Sequence, residues 1–261
     1  MGYFFFDESI HERGGFALGA FVYTEIDPQA KLKEALKEAG LSPGSEEFKS
    51  SAYFSRDPRQ AKARDHLKVV LSELGTIALM VIPADQKDAL GSEALICLRS
   101  ILDTNGLMQE HHQVYLDQGL FPTKQRAHYV AQDLGLQIGC SLYPESDSKA
   151  ILGLQLADLV AHTASIMLLA QQGIVCKTLK AVDVGYDADS DVDIALGFIL
   201  WTEIRYKFFC VDPPPIDTWR SQLDFQAKVE PYGLYVSPLC GDPLAAAARE
   251  RFAYMYLGCT S

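Results

Sequence analysis

Several chemistries are excluded by what this chain lacks. The sequence contains no Gly-x-Gly-x-x-Gly and no Gly-x-x-x-x-Gly-Lys, so dinucleotide-binding and P-loop readings fall away. It contains no Gly-x-Ser-x-Gly, which argues against an α/β-hydrolase. Its six cysteines, Cys97, Cys140, Cys176, Cys210, Cys240 and Cys259, include no Cys-x-x-Cys pair, so thiolate-metal and dithiol redox motifs are absent. There is no excess of positive charge: the formal net charge is −11 and the pI is near 5.0, so the broad positive field of a duplex binder is missing. A nucleic-acid substrate would have to be met by a local basic patch or by bound cations. The start of the sequence has no basic region followed by a signal-type apolar run. Reduced thiols in a cytoplasmic protein are therefore the expectation. No internal repeat and no low-complexity tract is found.

What is present suits one large domain, or a domain with an appendage: 261 residues, 48% of them hydrophobic. Tyr3 to Phe6 are four aromatics in a row and predict a buried strand. Phe16 to Tyr23 predicts a second strand, returning from the first through Gly14 and Gly15. A helix is expected over 29–39, a loop over 42–45, a third strand over 50–55 and a helix from Asp57-Pro58 to about Leu74. Thr76 to Ile82 reads as a strand, Pro83 to Asp103 as a helix, and Val114 to Leu116 as a strand finishing on Asp117. Pro122 to Leu134 reads as a helix and Leu136 to Tyr143 as a strand, whereas Val175 to Val184 reads as either strand or loop. Ile151 to Gln172 is an apolar helix long enough to raise the membrane question, but it carries Gln155, Asp158 and His162 and is expected to be a buried helix, with no membrane involved. Asp191 to Phe209 reads as an apolar helix before Pro213, and Leu244 to Met255 as a last helix. Strands that begin as a hairpin and then alternate with helices predict a mixed sheet with helices packed on it.

The chemistry-bearing residues begin with Asp7, which follows the aromatic run, and Asp117, which follows the strand at 114–116. Parallel neighbours lie about 4.8 Å apart, so if these two strands pair in parallel both carboxylates emerge together. Two such charges repel unless one is protonated or a cation sits between them. Asp158 lies in the apolar helix with Gln155 and His162 on the same face, a polar stripe that marks either a site or a side chain bonded to a neighbouring segment. For Asp7, a solvated turn is the alternative reading. Glu47, followed two residues on by Lys49, is a fourth candidate.

These pieces resemble a known family. Phe6-Asp7-Glu8-Ser9, the strand-end Asp117 and Gly153-Leu154-Gln155-Leu156-Ala157-Asp158-Leu159 are similar to the family called domain of unknown function 3800, over roughly residues 3 to 170. The resemblance implies an RNase H-like α/β fold: a mixed five-stranded sheet with flanking helices over residues 1–173. A C-terminal helical extension, 174–261, would pack on it. It further implies a metal-dependent nuclease site in which Asp7, Asp117 and Asp158, with Glu47, hold Mg²⁺ or Mn²⁺. Oxygen-rich sites suit those ions, and two of them can activate water and stabilise a leaving oxygen. The chain departs from the family pattern at Ile10, where glycine is common, which touches the turn and not the ligands.

Lys49 is one candidate contact to substrate phosphate, and Arg56 and Arg59 are others, in a locally basic stretch with Lys62, Arg64 and Lys68 that reads first as a solvated helix face. Asp187, Asp189, Asp191 and Asp193 alternate, but Val192 and Phe198 fall where a calcium loop needs Gly and Glu. His111 and His112 read as loop residues. The function expected is phosphodiester hydrolysis of DNA or RNA. A non-catalytic module that binds a protein partner is the rival, with the apolar stretch 194–204 as core or as a homodimer face.

Overall fold

The computed structural model describes residues 1–52, 56–174, 178–180, 193–195, 197, 201–202, 204–211 and 226–256. Its centre is a mixed sheet with helices on both faces. In chain order the elements are β1 (Gly2–His11), β2 (Phe16–Thr24), α1 (Gln29–Glu38), α2 (Pro58–Leu74), β3 (Gly75–Pro83), α3 (Leu90–Thr104), β4 (His112–Asp117), α4 (Lys124–Asp133), β5 (Cys140–Ser146) and α5 (Gly153–Gln171). Then come the short strands β6 (Thr178–Lys180), β7 (Asp193–Ala195), β8 (Gln226–Lys228) and β9 (Leu234–Val236), helix α6 (Asp242–Phe252) and β10 (Tyr254–Tyr256).

The strand order is β5-β4-β1-β2-β3-β9. β2 runs antiparallel to both β1 and β3, while β4 pairs parallel with β1 and β5 pairs parallel with β4. This is a mixed α/β sheet flanked by helices, as expected of the sequence, with one strand more than the five expected. The sixth, β9, pairs parallel with β3. Three residues, Leu234 to Val236, are too few to show a period, so only the exposed edge of β3 selects them. The C-terminal extension therefore supplies a strand as well as a helix.

Period-two alternation sorts the strands onto two cores. Phe5, Leu18, Ala20, Val22, Leu79 and Val81 face α1, α2, α5 and α6. Phe4, Phe6, Phe21, Met80, Val114 and Leu116 face α3 and α4. Every residue of β2 is buried, so its neighbours gain a continuous apolar wall. Of the helix over 151–172, an 18-residue window is apolar enough to cross a membrane, and 83% of it is buried inside the fold: it is a core helix.

Several expected boundaries move. β1 does not stop before Asp7 but continues to His11, because β2 pairs with it along its whole length, Tyr3 with Thr24 through to His11 with Phe16. Ser50 to Ala52 form a turn and not a strand, and 53–55 lie outside the described residues. Ala84 to Ala89 are 3₁₀ before α3 begins. Leu136 to Ile138 are also 3₁₀, and β5 starts only at Cys140. His112 is not a loop residue: it opens β4, fully buried, its Nε2 2.9 Å from the Leu107 carbonyl. Of the helix expected over 191–209 only parts are described, and Asp193 to Ala195 form a ribbon with Thr178 to Lys180. Asp187, Asp189 and Asp191 lie outside the described residues, while Asp193 pairs with Lys180 at 3.2 Å. Cys97, Cys140 and Cys240 are free thiols.

Candidate metal centre

Three elements bring the acidic residues together. β1 and β4 pair in parallel from Gly2 with His112 to Phe6 with Leu116, and one step beyond the last pair stand Asp7 and Asp117. Alternation puts both on the face that carries Phe5 and Tyr115, beneath α5.

The helix is seated by a glycine. A Cβ on Gly153 would meet the Phe5 ring at 2.4 Å, so only glycine lets α5 begin flat on that ring. From there α5 runs along β1 in the same direction: Gly14 meets Leu169 at its far end, and Gln172 Nε2 donates to the Gly14 carbonyl at 3.0 Å. Five residues of helix rise about 7.5 Å and two residues of strand about 6.7 Å. Asp158 therefore comes level with Asp7.

Asp158 and Gln155 also hold the segment that carries Glu47 and Lys49. Gln155 Oε1 accepts the Phe48 N–H at 2.9 Å, and its Nε2 donates to the Ser148 carbonyl at 2.8 Å. Asp158 Oδ2 accepts the Ser50 N–H at 2.9 Å, and its Oδ1 accepts the Ser50 hydroxyl. From the other side Gln60 of α2 takes the Lys49 N–H at 3.0 Å and donates to the Glu47 carbonyl at 3.0 Å. The Glu47 carboxylate accepts the Ser148 hydroxyl and lies 3.4 Å from Lys49 Nζ. Glu47, Lys49, Asp117, Gln118, Asp147, Ser148 and Lys149 line a polar cleft of about 330 Å³. One wall is raised by a bulge: β5 shifts register between the levels of Tyr115 and Asp117, and Glu145 takes a φ of 59°. The Glu145 carboxylate then receives the Gly119 N–H at 3.1 Å.

The electrostatics are those of crowded anions. Burial, then the charges of Asp158, Asp117 and Glu8, push Asp7 up to about 8, against one favourable bond from the Glu8 N–H. Burial and Asp117 push Glu8 up to about 7. Its Oε2 is buried without a hydrogen-bond partner. Asp117 is raised chiefly by burial, with Lys49 opposing. Burial lowers Lys49, but Glu47, Asp158 and Asp7 outweigh it and leave the ammonium firmly protonated. Farther along the same seam, burial lowers His162 and Asp158 opposes; burial and His162 lower His11, whose Nε2 lies 3.0 Å from Ser9 Oγ.

Of the residues singled out in the sequence, Asp7, Asp117, Asp158, Glu47 and Lys49 share this region. Arg59 does not: its guanidinium is held by Asp57 at 2.9 Å and by Glu46 at 3.0 Å, so its charge is spent on the entry to α2. Arg56 is exposed and, like Arg59, does not line the cleft. Ser50, Ser148 and Gln60 were not legible as site residues, since single small polar residues in loops carry no sequence signal.

Oxygen donors of this kind suit a hard dication, and the upward shift of Asp7 marks carboxylates crowded together with only Lys49 opposing them. As they stand, however, no three His, Cys, Asp or Glu side chains among the described residues are arranged to hold a metal ion. The reason is visible: Asp158 is turned to Ser50, Glu47 to Ser148, and Asp7 to the neighbouring N–H.

No family model matches the chain, and no curated protein is significantly similar to it. Among solved structures, RNase HII of Archaeoglobus fulgidus in its complex with PCNA aligns at 14% identity, over 72% of this chain and 83% of that one, with a TM-score of 0.40.

Proposed function

We propose that this chain is a divalent-metal-dependent phosphodiester hydrolase acting on nucleic acid, as its resemblance to the domain of unknown function 3800 family implies. The observation that carries the reading is the meeting of Asp7, Asp117 and Asp158, from three elements far apart in sequence, at one partly buried point where their charges oppose one another. Asp7, Asp117 and Asp158, with Glu47, are the residues to hold Mg²⁺ or Mn²⁺. Bound there, such ions supply a water-derived nucleophile and stabilise a leaving oxygen. The chain's own part is positional. Gln155 and Gln60 fix the backbone that carries Glu47 and Lys49, and Lys49 presents a positive charge to a phosphate at the mouth of the cleft.

The test pairs hydrolysis with unfolding. Millimolar Mn²⁺ raises the melting temperature of the wild-type protein by mass action and supports cleavage of a labelled oligonucleotide. Asp7→Asn and Asp117→Asn keep the wild-type circular dichroism spectrum but lose about 100-fold or more in rate, equivalent to roughly 3 kcal/mol of barrier. One feature favours a second reading, a non-catalytic module for a protein partner: both oxygens of Asp158 are already bonded to Ser50. Wild-type protein that neither shifts with Mn²⁺ nor cleaves would overturn the hydrolase and favour that reading instead.

A further inference from the structure

Three aromatic rings lie side by side across β1, β4 and β5. Phe5 and Tyr115 are register partners with ring centroids 5.5 Å apart and planes 10° from parallel. Tyr115 and Tyr143 are the next pair, at 4.8 Å and 13°. The inner ring, Phe5, is 3% exposed, while the outer ring, Tyr143, on the edge strand, is 43% exposed. No ring among the described residues stacks on the far side of Tyr143. An exposed tyrosine is ordinarily free to turn. This one is held flat against a partner that is itself held flat against the core.

The position of this shelf matters more than its flatness. Asp117 follows Tyr115 by two residues on β4, about 7 Å along the same face. The bulge at Glu145 then carries the chain from Tyr143 to Asp147, Ser148 and Lys149, which wall the cleft. The shelf therefore opens directly onto the carboxylates and the two lysines.

We propose that Tyr143 is a base-stacking platform and that the substrate engaged at the carboxylates is single-stranded nucleic acid. The inference rests on the hydrolase reading for its chemistry and deepens it by naming the form of the substrate. A base stacked on Tyr143 sets its backbone over the cleft lined by Asp117, Glu47, Lys49 and Lys149. Only an unpaired base offers a whole face to a protein ring, because in a duplex each face is covered by the next pair. Stacking also suits a chain of net charge −11, which has little long-range attraction for phosphate. Every base has a π-face, so the contact is indifferent to sequence.

The experiment is fluorescence anisotropy with the full chain in EDTA, where no cleavage intervenes, using a labelled single-stranded oligonucleotide and the same strand in a duplex. Tyr143→Ala weakens single-strand binding about tenfold or more, Tyr143→Phe binds as wild type, and the duplex binds more weakly and is indifferent to both changes. The proposal is overturned if Tyr143→Ala binds the single strand as wild type does, if Tyr143→Phe loses as much as Tyr143→Ala, if the duplex binds as tightly as the single strand, or if the wild-type protein binds neither. The two readings fail separately. Single-strand binding through Tyr143 without Mn²⁺-dependent cleavage removes the hydrolase and leaves the platform. Cleavage that Asp7→Asn abolishes, together with single-strand binding that Tyr143→Ala leaves unchanged, removes the platform alone.

Discussion

The two faces of the sheet are made by the same strands and treat polar groups in opposite ways. Beneath α3 and α4, Phe4, Phe6, Phe21, Met80 and Leu116 close an apolar layer, and one polar contact within it, Tyr235 to Glu93 at 2.9 Å, is a matched donor and acceptor. Beneath α5, the alternate residues of β1 run from Phe5 to Asp7, Ser9 and His11, and α5 answers with Asp158 and His162. The lesson lies in what each face must satisfy. The first packs side chain on side chain. The second must also secure a length of irregular backbone, residues 47–50, and the Gln155 and Asp158 side chains that secure it cannot be apolar.

That contrast can be broken hardest at the seat of α5. Gly153→Val drives a branched side chain into the Phe5 ring and is expected to cost about 3 kcal/mol in urea unfolding, with the α3 face untouched. A variant as stable as wild type would mean that α5 is not seated on that ring.

Next is the charge on the polar face. The folded value of Asp7, about 8, lies above its ordinary 3.8, so between those values the folded state binds the proton that the unfolded state releases. Metal-free stability therefore falls as pH rises from about 4 to 8. Asp7→Asn removes much of that slope and raises the metal-free melting temperature at pH 7.5 by about 4–8 °C, the equivalent of roughly 2 kcal/mol. A flat pH profile in the wild type would show that the carboxylates do not oppose one another.

Smaller still is Ser50→Ala, which removes the hydroxyl bonded to Asp158 and leaves the N–H bond in place. The expected loss is about 1–2 kcal/mol. The further expectation is tighter Mn²⁺ binding by calorimetry, because one carboxylate oxygen is released. Unchanged Mn²⁺ affinity would separate Asp158 from the metal. The smallest effect belongs to Arg59→Ala. Two solvent-screened ion pairs are lost, the urea midpoint scarcely moves, and oligonucleotide affinity stays as it was.

How far the sequence reveals these features follows from what each depends on. The apolar runs of β1, β2 and α5 are long enough to announce themselves. The paired approach of Asp7 and Asp117 follows from where two such runs end or turn polar. The continuation of β1 through Asp7-Glu8-Ser9 is not legible, since that stretch has the composition of a turn and becomes a strand only because β2 runs beside it. The neutralisation of Arg59 depends on Glu46, thirteen residues away and across a loop, and no local pattern foretells it. The same holds for Ser50 and Ser148, which acquire roles only when α5 is laid on the sheet.

The short strand β9 has a further consequence. Leu234 to Val236 cover Leu79 to Val81, a stretch of β3 whose backbone is otherwise an open edge. During synthesis that edge waits for more than 150 residues before its cover is made, and throughout the wait it can recruit a stranger's strand. Cutting the chain near residue 173 makes the wait permanent and also strips α6, with Ala248 and Phe252, from the core, and the fragment is expected to precipitate.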